Sequence, residues 1–172
     1  MGRRLIYQCP AIDSAVDQGD IVDGCPLLEV VAFDPDSIKP AQIGYAAARI
    51  VVLTQTCDLA NRKTTRVCAA RVLVAQEMVD QRIVKEAEVR GPIRAGRVFG
   101  MYYLPKDVAL GLPEAIVDLR QLHTVRLDLL QALVRNGKRR ARIQPLYREH
   151  LAKHFADTYS RIGLPEPYET DA

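Results

Sequence analysis

Where Thr54-Gln55-Thr56-Cys57-Asp58 leaves a run of β-branched residues, a thiol, two hydroxyls and a carboxylate stand close together. A strand emerging into a loop can hold such side chains rigidly around a ligand. A nucleophilic Cys57 needs a base or a cation to lower its pKa. The chain offers Arg62, Lys63 and, if folding brings it near, His123. The adjacent Asp58 opposes thiolate formation. The plainer reading has Cys57 packed in a turn that Asp58 and Asn61 hold by hydrogen bonds.

Four further groups of residues could do chemistry. Arg49 opens the strongest strand signal, and read alone it is a strand-edge cation that pairs with a surface acid. Arg135, Lys138, Arg139, Arg140 and Arg142 put five cations in eight residues around Gly137. As an exposed loop between two helices, that cluster would attract phosphate in a salt-dependent way, or serve only as a solubilising turn. Arg90, Arg94 and Arg97 form a second basic segment. His150 and His154 share a helical face at a spacing that can place two imidazoles on one metal, but Leu151 stands where a metalloprotease has its glutamate. A solvated face is expected there, with no metal and no cofactor.

The elements that must position these groups belong to one domain. The chain has 172 residues, 48% hydrophobic and 26% charged, which fits a single packed core and excludes wholesale disorder. Its net charge of +3 is too small to mark a nucleic-acid binder by itself. No apolar run approaches the roughly 18 residues that span a bilayer, and the apolar stretch behind Arg3 and Arg4 is too short for a secretory signal, so a cytoplasmic protein is expected. The four cysteines contain no C-x-x-C pair, and Cys9, Cys25 and Cys68 are expected to fill core space.

Strands are expected at 27–33, 49–56, 65–74, 98–104 and 115–122, with a start near Ile21 and a long binding loop over 38–48. Val79, Ile83 and Ala87 predict one helix over 76–88, and a short helix is expected over 124–134. Over 145–162, Pro145 opens a helix with Tyr147, Leu151, Phe155, Tyr159 and Ile162 as its apolar stripe. The domain is expected to span 1–163, with a loose tail over 164–172.

In order along the chain, Gly19-Asp20-Ile21-Val22, Arg49-Ile50-Val51-Val52-Leu53 leading to Asn61, Val67 to Val74, and Gln121-Leu122-His123-Thr124-Val125 resemble the MazF/PemK family. The resemblance covers Gly19 to Leu133. It implies an α+β, mostly β fold, an SH3-like barrel with an inserted helix and C-terminal helices, assembled as a homodimer. It also implies RNA as partner, a metal-independent endoribonuclease activity, and an antitoxin or other protein partner in a toxin-antitoxin or defence system. Internal RNA cleavage uses the 2′-hydroxyl as nucleophile, so a site must move two protons and stabilise charge on phosphorus. Arg49 matches the family's arginine, and Thr54, Thr56, Cys57 and Asp58 are expected around the same strand end. The family's hydroxyl residue is replaced by Cys68-Ala69-Ala70, and its arginine-proline pair by Arg49-Ile50. RNA binding is therefore expected ahead of cleavage. Two contrasting readings are a non-catalytic module docking a protein through the barrel and the terminal helix, and a cysteine-dependent enzyme at Cys57.

Overall fold

The computed structural model describes residues 6–36 and 40–160. The described residues build an α+β fold on one antiparallel sheet of seven strands: β1 (Tyr7–Gln8), β2 (Asp20–Ala32), β3 (Gln42–Val52), β4 (Arg66–Val74), β5 (Met101–Leu104), β6 (Ala115–Arg126) and β7 (Arg139–Ile143). Their order across the sheet is β1-β7-β2-β3-β4-β6-β5. The expected closed barrel does not form, because β1 and β5 are the two edges and do not pair with each other. The helices are α1 (Thr56–Ala60), α2 (Ala75–Asp80), α3 (Glu86–Glu88), which runs into a π-helical turn over Val89–Ile93, α4 (Leu127–Arg135) and α5 (Pro145–Tyr159).

Alternation along the central strands gives the sheet two apolar faces, as period-2 geometry requires. Ile21, Val51, Ala70, Val117 and Leu119 pack on one side, where α5 lays Leu151 with Tyr147 and Phe155. Val22, Ile50, Val52, Ala69 and Val125 pack on the other, beneath Leu130 and Val134 of α4. A third cluster joins Met78, Val89 and Ile93 to Met101 and Ile116. The stripe read for α5 is thus used inward, and Ile162 and the 164–172 tail lie outside the described residues.

Several elements differ from the sequence reading. The expected loop over 38–48 is already strand from Gln42, and residues 37–39 lie outside the described residues. Its period was hidden because Gly44 lies beneath Val31, whose Cγ1 is 2.9 Å from where a Cβ would stand. Strand β2 continues through Pro26, since its pairing with β7 ends at Val22 and, among the described residues, the outer edge beyond has no neighbour to lose a hydrogen bond. The single helix over 76–88 is instead broken: Arg82 turns left-handed at φ 59, and the Ile83 amide donates back to the Met78 carbonyl at 2.9 Å, the closure of a helix end. Cys57 to Lys63 begins as α1 rather than as an irregular turn. The basic segment read as a loop between helices holds strand β7. Cys25 is buried and Cys68 half-buried, but Cys9 is exposed.

Candidate nucleic-acid interface

Arg49 is committed to an acid. Its Nε donates to Asp23 Oδ1 at 2.5 Å, and Arg140 donates to the other oxygen of the same carboxylate at 2.7 Å. These two guanidinium groups hold the Asp23 carboxyl below the usual carboxylate range against the opposing effect of burial. Cys57 lies elsewhere, exposed, with Sγ 3.6 Å from Gln55 Oε1 and 3.8 Å from Asp58 Oδ1. Both neighbours are acceptors, so neither stabilises a thiolate. Asn61 Nδ2 donates to the Cys57 carbonyl at 2.7 Å, and Lys63 sits 3.7 Å from Asp58, the arrangement of a held turn. Thr54 Oγ1 accepts from the Cys68 amide at 2.7 Å, while Thr56 Oγ1 is buried without a hydrogen-bond partner. The strand end thus collects the polar residues expected there, but Arg49 makes its contacts with a different set.

The basic cluster is also divided. Arg139 and Arg142 close on the fully buried Asp20, at 3.2 and 2.6 Å, and Arg142 and Arg148 both reach Asp17. Arg139 further donates to the carbonyls of Ala11, Ser14 and Ala15. These residues clamp the segment before β2 onto β7 and α5. Arg135 and Lys138 remain exposed and make no ion pair among the described residues. The helical histidines embrace Tyr102: its ring centroid is 5.5 Å from that of His150 and 5.8 Å from that of His154. His154 is buried, with Nε2 3.1 Å from the Val98 carbonyl, so the expected solvated face holds for His150 alone. Among the described residues no group of three or more metal-ligating side chains converges.

Unmatched positive charge gathers elsewhere, where β4 begins and β6 ends. Arg66 and Arg126 are direct cross-strand partners. Arg126 has a bidentate partner in Asp128, with Nε–Oδ1 at 3.0 Å, whereas Arg66 forms no ion pair among the described residues. Two adjoining grooves both contain this pair. One, of about 480 Å³, is lined by Thr65, Arg66, Arg126, Leu127, Asp128 and Gln131. The other, of about 410 Å³, runs from the same arginines past Thr124 and His123 to a wall formed by Pro26, Leu27 and Leu28. Arg62 and Lys63, both exposed, stand just before β4.

His123 lies across from Ala69, at the inner end of the second groove, and its Nε2 is buried without a hydrogen-bond partner. Burial, then the nearby Arg71 guanidinium, push the ring below the ordinary imidazole value of 6.5, with Glu29 pulling the other way. Arg71 is 3.6 Å from Glu29 and faces Asp118 across the β4–β6 ladder. The almost fully buried Asp118 is gripped by Arg120 at 2.8 and 2.9 Å. The ladder accommodates this row by a large bulge: Ala70 faces Leu122, yet Arg71 faces Asp118, which leaves Leu119, Arg120 and Gln121 as extra residues on β6. The row therefore offers a neutral imidazole able to accept a proton beside cations that are only partly matched.

Reading residues singly missed Arg66 and Arg126 and considered His123 only as a partner for Cys57. Nothing in the local spelling of either arginine is distinctive. Only the β4–β6 register, with its bulge, sets them side by side. No protein-family model matches the chain, and no curated protein matches it.

Proposed function

We propose that this protein binds single-stranded RNA along the two grooves that meet at Arg66 and Arg126. The observation that carries the reading is that in-register pair. Like charges placed directly opposite on neighbouring strands are destabilising, and a phosphate between them reverses the sign. The grooves also suit what an unpaired nucleotide presents. Guanidinium groups meet the backbone, while an imidazole ring and apolar walls at Leu27, Leu122 and Leu129 meet an unstacked base.

This keeps the RNA partner that the MazF/PemK resemblance implies and moves the contact from Arg49 to other residues. Cleavage, if the site performs it, falls to His123 as proton acceptor from a 2′-hydroxyl, with Arg71 nearest to it as a cation. The family's homodimer and antitoxin remain part of the proposal at the level of resemblance, without its closed barrel. The module that docks a protein through the barrel and the terminal helix has less support, because Leu151 and, in part, Tyr147 and Phe155 of the α5 stripe pack on the sheet. The cysteine-dependent reading gains nothing from the surroundings of Cys57.

The test is fluorescence anisotropy of a labelled mixed-sequence single-stranded RNA without added metal, over a range of salt. The wild-type protein binds, with a salt slope of about −0.7 per phosphate contacted. Arg66→Ala with Arg126→Ala weakens binding at least about tenfold and flattens the slope by about 1.4. Binding that is unchanged in this double variant contradicts the reading, as does no binding at low salt. Gel analysis of the same mixtures shows whether the RNA is cut and whether His123→Ala stops it.

A further inference from the structure

The two edges of the sheet come close without pairing. Tyr7 of β1 donates its hydroxyl to the carbonyl of Pro105, just past β5, at 2.8 Å. Beside that contact lies a pocket of about 270 Å³ that shares no residue with the RNA grooves. β5 pairs with the first residues of β6, Ala115 to Asp118, whereas Arg126 ends that strand. Four stretches far apart in the chain supply the walls: Ile6 before β1, the β5 segment from Tyr102 to Pro105, the first turns of α5, and the π-helical turn with the residues just after it. Turns of that kind are rare and occur most often at functional sites.

The walls are mainly rings. Buried Tyr102 lies edge-on to His150 with ring centroids 5.5 Å apart, and its hydroxyl donates to the Tyr147 carbonyl at 3.2 Å. Burial pushes Tyr102 up to about 12, and burial with the Glu114 carboxylate does the same to Tyr103, so neither phenol brings negative charge. The one permanent charge in the lining is Arg94, exposed, with Cζ 5.6 Å from the centre of the Tyr103 ring. Arg90, one turn earlier, pairs with Glu86, but Arg94 forms no ion pair among the described residues. A second donor faces the same edge. The Leu119 amide donates to the Gly100 carbonyl at 2.8 Å, so by antiparallel alternation the Tyr103 amide points away from β6. Gly96, at φ 66, leaves the mouth open: a Cβ there would already stand 4.0 Å from His150 Cε1, and a longer side chain would close it.

We infer that this pocket binds a small planar aromatic carboxylate, its ring against the tyrosine rings and its carboxylate on the Arg94 guanidinium and the Tyr103 amide. The volume lies just under the roughly 300 Å³ at which drug-sized pockets begin, which suits a single ring system. A guanidinium stacked on a ring keeps its fork of donors free for a bidentate carboxylate. An aliphatic acid would leave the rings without a stacking partner, and a neutral ring would leave the guanidinium unmatched. A nucleotide would press its ribose hydroxyls on Ile6, Ile93 and Leu104, whose side chains accept no hydrogen bond.

Isothermal titration calorimetry of the full chain with cinnamate tests this, run beside cinnamamide, hexanoate and uridine monophosphate. Cinnamate binds with a dissociation constant below about 1 mM, and each of the other three at least about tenfold more weakly. Arg94→Met keeps an apolar stem over Tyr103 and weakens cinnamate at least about tenfold, to the level of cinnamamide, with the circular dichroism spectrum unchanged. Arg66→Ala with Arg126→Ala binds cinnamate as the wild type does, so failure of the RNA reading leaves this inference standing. The ligand comparison on the wild-type protein needs no variant to fold. Absence of heat with cinnamate overturns the inference, as does any of the other three compounds binding as tightly. Affinity unchanged in Arg94→Met, or lost in the Arg66 and Arg126 double variant, overturns it too.

Discussion

Arginine is used in two opposite ways in this molecule. Around the start of β2, the carboxylates of Asp17, Asp20 and Asp23 match the guanidinium groups of Arg49, Arg139, Arg140, Arg142 and Arg148, and the innermost pairs exclude water. At the junction of β4 and β6, Arg66 and Arg126 face each other with Asp128 bonded to only one of them. The first region is richer in arginine and keeps a formal surplus of positive charge, yet each of its guanidinium groups is already paired with a carboxylate, whereas Arg66 is not. A basic stretch in a sequence therefore says little about ligands until its acids have been found, and here the acids lie more than a hundred residues away.

The sharpest way to break this contrast is to remove the buried acid. Asp20→Ala leaves Arg139 and Arg142 with uncompensated charge in a dry setting, and the expected loss is about 3–5 kcal/mol of folding stability, read by chemical denaturation. A loss below about 1 kcal/mol would mean that water reaches the clamp.

His123 supplies a second contrast, in pH. Its pKa is held below 6.5 in the folded protein, so below that pH the unfolded chain binds more protons, and stability falls as pH drops from 6.5 through the lowered value. Asp118, whose carboxyl Arg120 holds below 3.8 against burial, extends the loss at lower pH, since protonation there also favours the unfolded chain. RNA affinity moves the other way. Protonating His123 adds a cation to the groove, so binding tightens roughly fivefold on acidification, and His123→Gln removes that rise. The smallest expected effect is at Arg66. Arg66→Ala relieves a like-charge pair and raises stability by about 0.2–1 kcal/mol, the reverse of what a structural ion pair would show.

Much of the framework was legible in the residues. The β-branched run at Ile50 to Leu53 is central and fully or nearly buried, and in the α5 stripe Leu151, with Tyr147 and Phe155 partly buried beside it, meets the sheet. Half of the β2–β3 arm was legible: a strand was expected over 27–33, and β2 runs there to Ala32. The β3 half was not, because Gly44 and the run Ala46-Ala47-Ala48 carry no apolar alternation. The broken α2 and α3 pair escaped for a different reason: the left-handed residue that ends α2 is Arg82, where glycine or asparagine is the usual signal. At the site, Asn61 holds the turn it was read to hold, through the Cys57 carbonyl, but Cys57, read as packed, is exposed, and Thr54 accepts from the Cys68 amide. Arg49 fell to its plainer reading because Asp23 is close in space but distant in sequence. Barrel closure, the step that would have gathered these residues onto one rim, depends on edge pairings that no local signal encodes.

Amide hydrogen exchange with and without a saturating single-stranded RNA tests the central claim most directly, because both arginine regions are observed in one experiment. Slower exchange over 64–67 and 122–128, with the 138–143 segment unchanged, is the expected result. Protection confined to 138–143, or spread evenly over the chain, would contradict it.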